Sequence, residues 1–320
     1  MDKLSDFPKR WTVADIPDQS GRIAVVTGAS SGLGLVVAEH LSAHGAHVVM
    51  AVRDLAKGER VRAELLAAHP TASLELRLLD LADLDSVNRF ADELGSQIQS
   101  LDILVNNAGM GGGPRRLSPQ NYELTWATDF LGPFALTGRL LPMLEGGHEP
   151  RIVTVASNFY KRMKVTLPLD DPRAEKSYSG AKAYIAAKTA DLVFAVELER
   201  RLRAQGSSVR SLAAHPGVAN TPMQQSASSM PERILAKVLS IALGRTPQAG
   251  ALPMLYAAVA GDAPAGRFLG PALSKRDERV YADELVAPAN DEALARLVWS
   301  VGEELTGVSY LNQTEPSPPG

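Results

Sequence analysis

The stretch Ile23-Ala24-Val25-Val26-Thr27-Gly28-Ala29-Ser30-Ser31-Gly32-Leu33-Gly34 constrains the chain more than any other. Its apolar, β-branched start reads as a strand buried on both faces, the kind found inside a parallel sheet. A glycine-rich turn follows at once and runs into the helical pattern Leu35-Val36-Val37-Ala38-Glu39-His40-Leu41. Gly28 permits the tight turn, Gly32 lets backbone N–H groups approach a diphosphate, and Gly34 lets the helix close on the strand. The helix N-terminus adds its dipole and unpaired donors, so the expected ligand is a dinucleotide. A nucleoside-triphosphate loop would end in Gly-Lys-Ser/Thr, and here Leu35 follows Gly34.

The same alternation continues. His47–Val52 is a second buried strand that ends at Arg53-Asp54. At that strand end an acidic residue favours the ribose 2′-OH of NAD, whereas an Arg pairs with the 2′-phosphate of NADP. Arg53 comes first, so NADP is expected, with NAD as the alternative if Arg53 is only a solvated loop residue. Residues 55–69 read as a helix, Leu74–Leu79 as a third strand closing on Asp80-Leu81, and residues 83–99 as a helix with Leu84, Val87, Phe90, Ala91 and Leu94 on one face. A fourth strand, Asp102–Val105, runs into Asn106-Asn107-Ala108-Gly109. Asn side chains at such a strand end can tie neighbouring strands, and Ala108 and Gly109 leave room for a ribose. The pattern predicts an α/β doubly wound parallel sheet of Rossmann type. One domain is expected over residues 21–305, with an N-terminal arm (1–20) packed through Trp11, lid helices at about 219–246, a C-terminal helix over 291–304 bearing Leu294, Leu297, Val298 and Trp299, and a flexible tail (306–320).

Composition excludes several function classes. A formal net charge of −3 over 320 residues, without basic runs, gives no reason to expect nucleic acid or an anionic membrane. No cysteine is present, which removes disulfides, thiolate metal sites and cysteine nucleophiles. The N-terminus lacks a signal-peptide core and no apolar run reaches the length of a membrane span. The expectation is a soluble cytoplasmic protein that meets small molecules, binds no metal, and leaves a homo-oligomer open.

Taken together, these turns resemble the short-chain dehydrogenase/reductase family. Thr27 to Gly34 matches its Thr-Gly-x-x-x-Gly-x-Gly, and Asn106 to Gly109 its Asn-Asn-Ala-Gly. The strand Arg151–Val155 leads to Ser157, where the family places its catalytic Ser, and Tyr184-Ile185-Ala186-Ala187-Lys188 matches Tyr-x-x-x-Lys. His215-Pro216-Gly217-Val218-Ala219-Asn220-Thr221 resembles the family's Pro-Gly turn beside the nicotinamide. A second match, Tyr178 with Lys182, is set aside because the continuation after Lys188, Thr189-Ala190-Asp191-Leu192-Val193-Phe194-Ala195-Val196-Glu197-Leu198, resembles the retinol-dehydrogenase-like branch (Lys-x-Ala-Asn-x-x-Phe-x-x-Glu-Leu). The resemblance implies cofactor contacts at Thr27, Gly28, Ser30, Ser31, Gly32, Leu33, Gly34, Arg53, Asp80, Leu81, Asn107, Ala108, Gly109, Tyr184, Lys188, Pro216, Gly217, Val218 and Thr221.

It also implies hydride transfer between a nicotinamide and a carbonyl or alcohol. A positioned phenol, Tyr184, protonates the alkoxide; Lys188 lowers its pKa and binds the nicotinamide ribose; Ser157 donates to the substrate oxygen. The alternative is a non-catalytic NADP-binding sensor or scaffold of the same fold. Phe159, Tyr160 and Met163 suggest an apolar pocket, and His215 reads as structural. One departure stands out: where the branch carries Asn-x-Leu-Gly-x-Phe, this chain has Asp129-Phe130-Leu131-Gly132-Pro133-Phe134. A carboxylate at Asp129 facing the site can accept from water but not donate, and its charge should offset part of the field of Lys188 at Tyr184.

Overall fold

The computed structural model describes residues 7, 9–217, 245–272 and 279–311. The apolar runs become strands β2 (Ile23–Thr27), β3 (His47–Val52), β4 (Ser73–Leu78), β5 (Ile103–Asn106), β6 (Arg151–Val155) and β7 (Arg210–Ala214). With β1 (Lys9–Arg10), β8 (Phe268–Pro271) and β9 (Arg279–Asp283) they form one nine-stranded sheet, ordered β1-β9-β8-β7-β6-β5-β2-β3-β4. Strands β2 to β8 run parallel, while β9 is antiparallel to β8 and β1 to β9. From β2 the chain winds outward through β3 and β4, then returns to place β5 on the other side of β2. That reversal opens a crevice beyond the C-terminal ends of β2 and β5, where open α/β sheets bind ligands.

Helices cover both faces. Those named in chain order are α1 (Gly32–Ala43), α2 (Leu55–Ala68), α3 (Leu84–Gln97), α4 (Leu124–Trp126), α5 (Gly132–Glu145), α6 (Gly180–Ala204), α7 (Pro247–Val259) and α8 (Glu292–Thr306). A π-helical turn, Ala127–Leu131, joins α4 to α5. One core packs α1 and α7 against the sheet; the other packs α3, α5, α6 and α8 against the opposite face, with Phe90, Phe130, Phe134, Phe194 and Trp299 at its centre. Aspartates fix helix starts: Asp54 accepts from Lys57 N at 2.9 Å, Asp83 from Asp85 N at 3.1 Å and Asp291 from Ala293 N at 2.9 Å. The helices read as beginning at 83 and 291 therefore begin one residue later. Gly307, at φ 70°, ends α8 in the left-handed region that glycine adopts freely.

Trp11 packs as expected, while three features differ from the sequence reading: the antiparallel edge, Leu297 and the start of the tail. The antiparallel edge of β8, β9 and β1 has no counterpart in it, because these strands are short and β1 finds its partner, β9, near the other end of the chain. Trp11 is 6% exposed and packs edge-on against Tyr256 at 5.5 Å, held there by the β1–β9 pairing. Leu297, expected on the buried face of the last helix, points outward and is 51% exposed. The expected lid positions up to 244, the tail positions from 312 onward, and the site candidates Val218 and Thr221 lie outside the described residues. The start of the expected flexible tail is packed instead: Thr306 still belongs to α8, Tyr310 is buried and its hydroxyl donates to Phe134 O at 3.1 Å, and Leu311 O accepts from Arg201 at 3.2 Å.

Candidate functional site

Thr27 ties the crevice together. Its hydroxyl accepts from the backbone N–H groups of Asn107 (3.0 Å) and Ala108 (2.9 Å) and donates to Val105 O (3.2 Å). The Asn107 amide returns a bond to Thr27 O at 2.8 Å, so the ends of β2 and β5 are locked to each other. Gly28 and Gly32 sit at φ 68° and 60°, where a side chain would be strained. A Cβ at Gly34 would lie 2.3 Å from Asn107 Nδ2 and 2.7 Å from Gly28 O, so glycine is demanded there by close approach. Ser31 is the N-cap of α1 but its side chain makes no capping bond. The N-terminal amides around Ser30, Ser31, Gly32 and Leu33 thus present the arrangement that holds anionic groups.

At the next strand end, Arg53 is exposed and Asp54 is occupied in capping α2. Asp80 is also engaged, accepting from Ala82 N at 3.0 Å, while Leu81 is buried beneath it, its carbonyl against Gly132. On the far side Pro216 and Gly217 follow β7, with Gly217 N donating to His215 Nδ1 at 3.1 Å. His215 is 3% exposed and stacks on Phe268 at 4.6 Å, and a Cβ at Gly270 would overlap its ring, which fits the structural role read for it.

Ser157 ends β6 and accepts from Phe159 N at 3.3 Å as the cap of a 3₁₀ turn. Tyr184 and Lys188 lie one turn apart on α6, and the Tyr184 phenol faces Ser157 and Lys188. Tyr178 precedes that helix, so it does not share a helical face with Lys182. Its hydroxyl lies 2.9 Å from Gly113 O and 3.3 Å from Glu123 Oε1, pinning the loop 110–113, and Lys182 is exposed. Of the two Tyr-x-x-x-Lys pairs, only Tyr184 and Lys188 meet Ser157. Tyr160 turns into the core against Phe268, and Met163 is 42% exposed, so neither side chain forms the apolar pocket suggested for them.

Around Lys188 the structure departs from expectation. Its ammonium donates to Val155 O at 3.1 Å and to Asp191 Oδ2 at 2.9 Å, with Asp129 Oδ2 at 3.6 Å. Asp129 sits in the π-helical turn, fully buried, and its Oδ1 accepts from Met110 N at 2.7 Å. Gly109 makes this approach feasible, since a Cβ there would stand 3.1 Å from both Asp129 Oδ2 and Lys188 Nζ. Burial, against the opposing pull of Lys188, raises Asp129 to about 7 and Asp191 to about 6. Burial thus favours the neutral carboxyl of Asp129, a form that can donate, where the sequence reading considered only the accepting carboxylate. Burial also opposes the Lys188 ammonium, but Asp191, Asp129 and Tyr184 raise it above the ordinary lysine value. Lys188 does pull the Tyr184 phenol down. Burial, reinforced by Asp129 and Asp191, outweighs it, and the phenol ends above its ordinary value, not below it.

Comparisons with known proteins agree with this fold. The short chain dehydrogenase profile matches residues 22–169. Mouse retinol dehydrogenase 14 is 33% identical over 90% of this chain and 86% of its own length. The chain belongs to the short-chain dehydrogenase family. Mouse polyprenol dehydrogenase is 35% identical over 91% of this chain and 86% of its own, which with the first relative places the chain in the retinol-dehydrogenase-like branch. Among solved structures, an uncharacterised protein of Mycobacterium paratuberculosis aligns with TM-score 0.77 and 37% identity over 94% of this chain and 99% of that one. A Beutenbergia cavernae protein provisionally named an NAD(P)-dependent gluconate 5-dehydrogenase, with NADP bound at low occupancy, aligns with TM-score 0.60 and 28% identity over 78% and 95%. The chain is an oxidoreductase of this family.

Sequence reasoning for this short-chain dehydrogenase missed Asp191. The signal was there: the branch pattern after Lys188 has Asn where this chain has Asp191, three residues along the same helix face. It also missed Tyr178 as a loop anchor, for which no local pattern exists.

Proposed function

We propose that the protein is an NADP-preferring carbonyl reductase or alcohol dehydrogenase acting on an apolar substrate. The observation that carries this reading is the convergence of Ser157, Tyr184 and Lys188 beside the glycine turn, at the crevice where the strand order reverses. The residues present fit a nicotinamide dinucleotide: positive-φ glycines at 28 and 32, an uncapped helix N-terminus and a small-residue floor at Ala108 and Gly109 suit its diphosphate and riboses. Because the Asp54 carboxylate is held as a helix cap, Arg53 is the group at this strand end free to meet a 2′-phosphate. When bound, such a cofactor supplies or accepts the hydride.

The chain's own side chains do the rest. Ser157 donates to the substrate oxygen as negative charge grows on it, and the Tyr184 phenol gives that oxygen its proton. In oxidation the same proton returns to Tyr184. The relatives named for retinol and polyprenol point to an isoprenoid alcohol, or its carbonyl partner, as the substrate class. A cytoplasmic setting is part of this proposal; among the described residues no helix is long and apolar enough to cross a membrane. A nicotinamide-fluorescence screen of carbonyl compounds, run with NADPH and with NADH, tests it. Turnover of apolar aldehydes or ketones with NADPH is expected. NADPH binding without turnover of any carbonyl compound would leave the non-catalytic sensor instead.

A further inference from the structure

The ammonium of Lys188 stands between two carboxylates in a pocket closed to water. Asp191 Oδ2 holds it at 2.9 Å and Asp129 Oδ2 faces it at 3.6 Å, while Lys188, Asp129 and Asp191 are 4%, 0% and 2% exposed. Among the described residues no second cation pairs with either acid. Glu123, buried at the head of α4, adds further negative charge against Asp129. With both acids ionised the cluster would carry one positive and two negative charges, leaving an uncompensated charge away from water, which is strongly unfavourable. Each acid also keeps one buried oxygen without a hydrogen-bond partner, Oδ2 of Asp129 and Oδ1 of Asp191. One added proton relieves the imbalance.

We propose that Asp129 and Asp191 are positioning residues that share a single proton beside Lys188 near neutrality and, both ionised at the alkaline pH where phenols titrate, oppose the Tyr184 phenolate, so that Tyr184 stays the neutral phenol, the proton-donating form used in carbonyl reduction. The proposal rests on the hydride-transfer reading of this site. Asp129 carries the proton for most of the time, because its facing oxygen stands too far from Nζ for a hydrogen bond, whereas Asp191 is in direct ion pairing. Lys188 then spends its field on Asp191 and a second donor on Val155 O, so little is left to stabilise a phenolate.

The charged and titratable groups facing Tyr184 are Lys188 and Asp191 from α6 and Asp129 from the π turn, with the Ser157 hydroxyl from the end of β6. Glu123, bonded to Tyr178, acts one step further out through Asp129. In reduction the hydride adds to the carbonyl carbon and the π pair moves to oxygen. That oxygen takes the phenol proton, and the phenolate left behind is recharged, one solvent proton being consumed per turnover. The alcohol–carbonyl equilibrium itself is untouched. What the two acids set is the pH at which each direction finds Tyr184 in its competent form, with oxidation pushed to alkaline pH.

The test needs neither cofactor nor substrate. Phenolate absorbance of the whole protein is titrated against that of Tyr184→Phe, so that the difference isolates Tyr184. Asp129→Asn and Asp191→Asn are each expected to lower its midpoint by about one pH unit or more, because both acids are ionised at the pH where the phenol titrates and each substitution removes one negative charge near it. Carbon-13 NMR of the aspartate carboxyls should find one acid titrating near neutrality in the unsubstituted protein, lost in Asp129→Asn and moved down in Asp191→Asn. A Tyr184 midpoint unchanged or raised in both variants, or two carboxyls titrating as ordinary surface acids, overturns the proposal. If Asp191→Asn does not fold, Asp129→Asn and the unsubstituted protein's NMR decide. In turnover, the midpoint of alcohol oxidation should follow the phenol downward with KM unchanged. Absence of turnover with every carbonyl compound would defeat the proposed function while leaving the titrations readable.

Discussion

Two tyrosines stand four residues before a lysine in this chain, and their surroundings give them different work. Tyr184 faces Ser157, whereas the Tyr178 hydroxyl is bound to Gly113 O and Glu123. Tyr184→Phe should abolish turnover and leave NADPH affinity nearly intact, because it removes the acid and little packing. Tyr178→Phe should keep measurable activity and cost about 1 kcal/mol of stability, the worth of a hydrogen bond lost from a loop anchor. Steady-state kinetics beside denaturant titrations of the two variants separate these outcomes, and activity lost only in Tyr178→Phe would move the acid to the upstream tyrosine. Arg53 gives the second prediction at this scale. Arg53→Ala should weaken NADPH by roughly 10- to 150-fold, equivalent to about 1.5–3 kcal/mol for a charge-assisted contact, with NADH nearly unaffected. Equal losses for the two cofactors, measured by fluorescence titration, would remove Arg53 from the 2′-phosphate.

At the scale of elements, the site is a junction where two parallel strands end together. Thr27 and Asn107 bind β2 to β5, and α1 enters so close to them that only glycine fits at 34. Gly34→Ala should therefore force β5's turn away from α1, costing about 1–3 kcal/mol as overpacking does, and should lower cofactor affinity more than a distant change of equal stability cost. Comparing it with Trp11→Ala makes the test specific. Trp11 is nearly buried against Tyr256 on α7, so its loss should cost about 3–5 kcal/mol and spare NADPH binding by the folded fraction. If Gly34→Ala binds NADPH normally, the close approach is not part of the cofactor site.

For the whole molecule, the acids around Lys188 predict a pH dependence of stability. Asp129 is raised to about 7 and Asp191 to about 6 from the ordinary 3.8, chiefly by burial, so the folded state binds more protons than the unfolded one between those values. Stability contributed by these groups is therefore highest at low pH and falls as pH rises from about 4 through 7. Lys188 works in the other window: raised above its ordinary 10.5, it contributes stability that persists through neutrality and is lost only at strongly alkaline pH. Denaturant midpoints measured at pH 5 and pH 8 should show the unsubstituted protein losing stability across the interval, and Asp129→Asn losing clearly less. An identical slope in both proteins would mean that Asp129 ionises as an ordinary carboxylate.

How much of this was legible in the chain itself follows the range of the interactions. The strand–turn–helix unit at Ile23–Gly34 and the parallel strands depend on local periodicity and on glycines whose demands are local, and the sequence by itself determined them, whereas Ser157, Tyr184 and Lys188 were singled out by the motifs of the family resemblance. What lay between distant segments did not show. The pairing of β1 with β9 and the anchoring of Tyr178 by Gly113 need partners tens to hundreds of residues away, and the outward turn of Leu297 is set by how α8 packs. The electrostatics were decided last. Asp129 and Asp191 are ordinary acids in the sequence; folding brings one from the π turn and one from α6 against a single ammonium without water. The cost of burying charge then turns a site read as lowering the Tyr184 pKa into one that raises it.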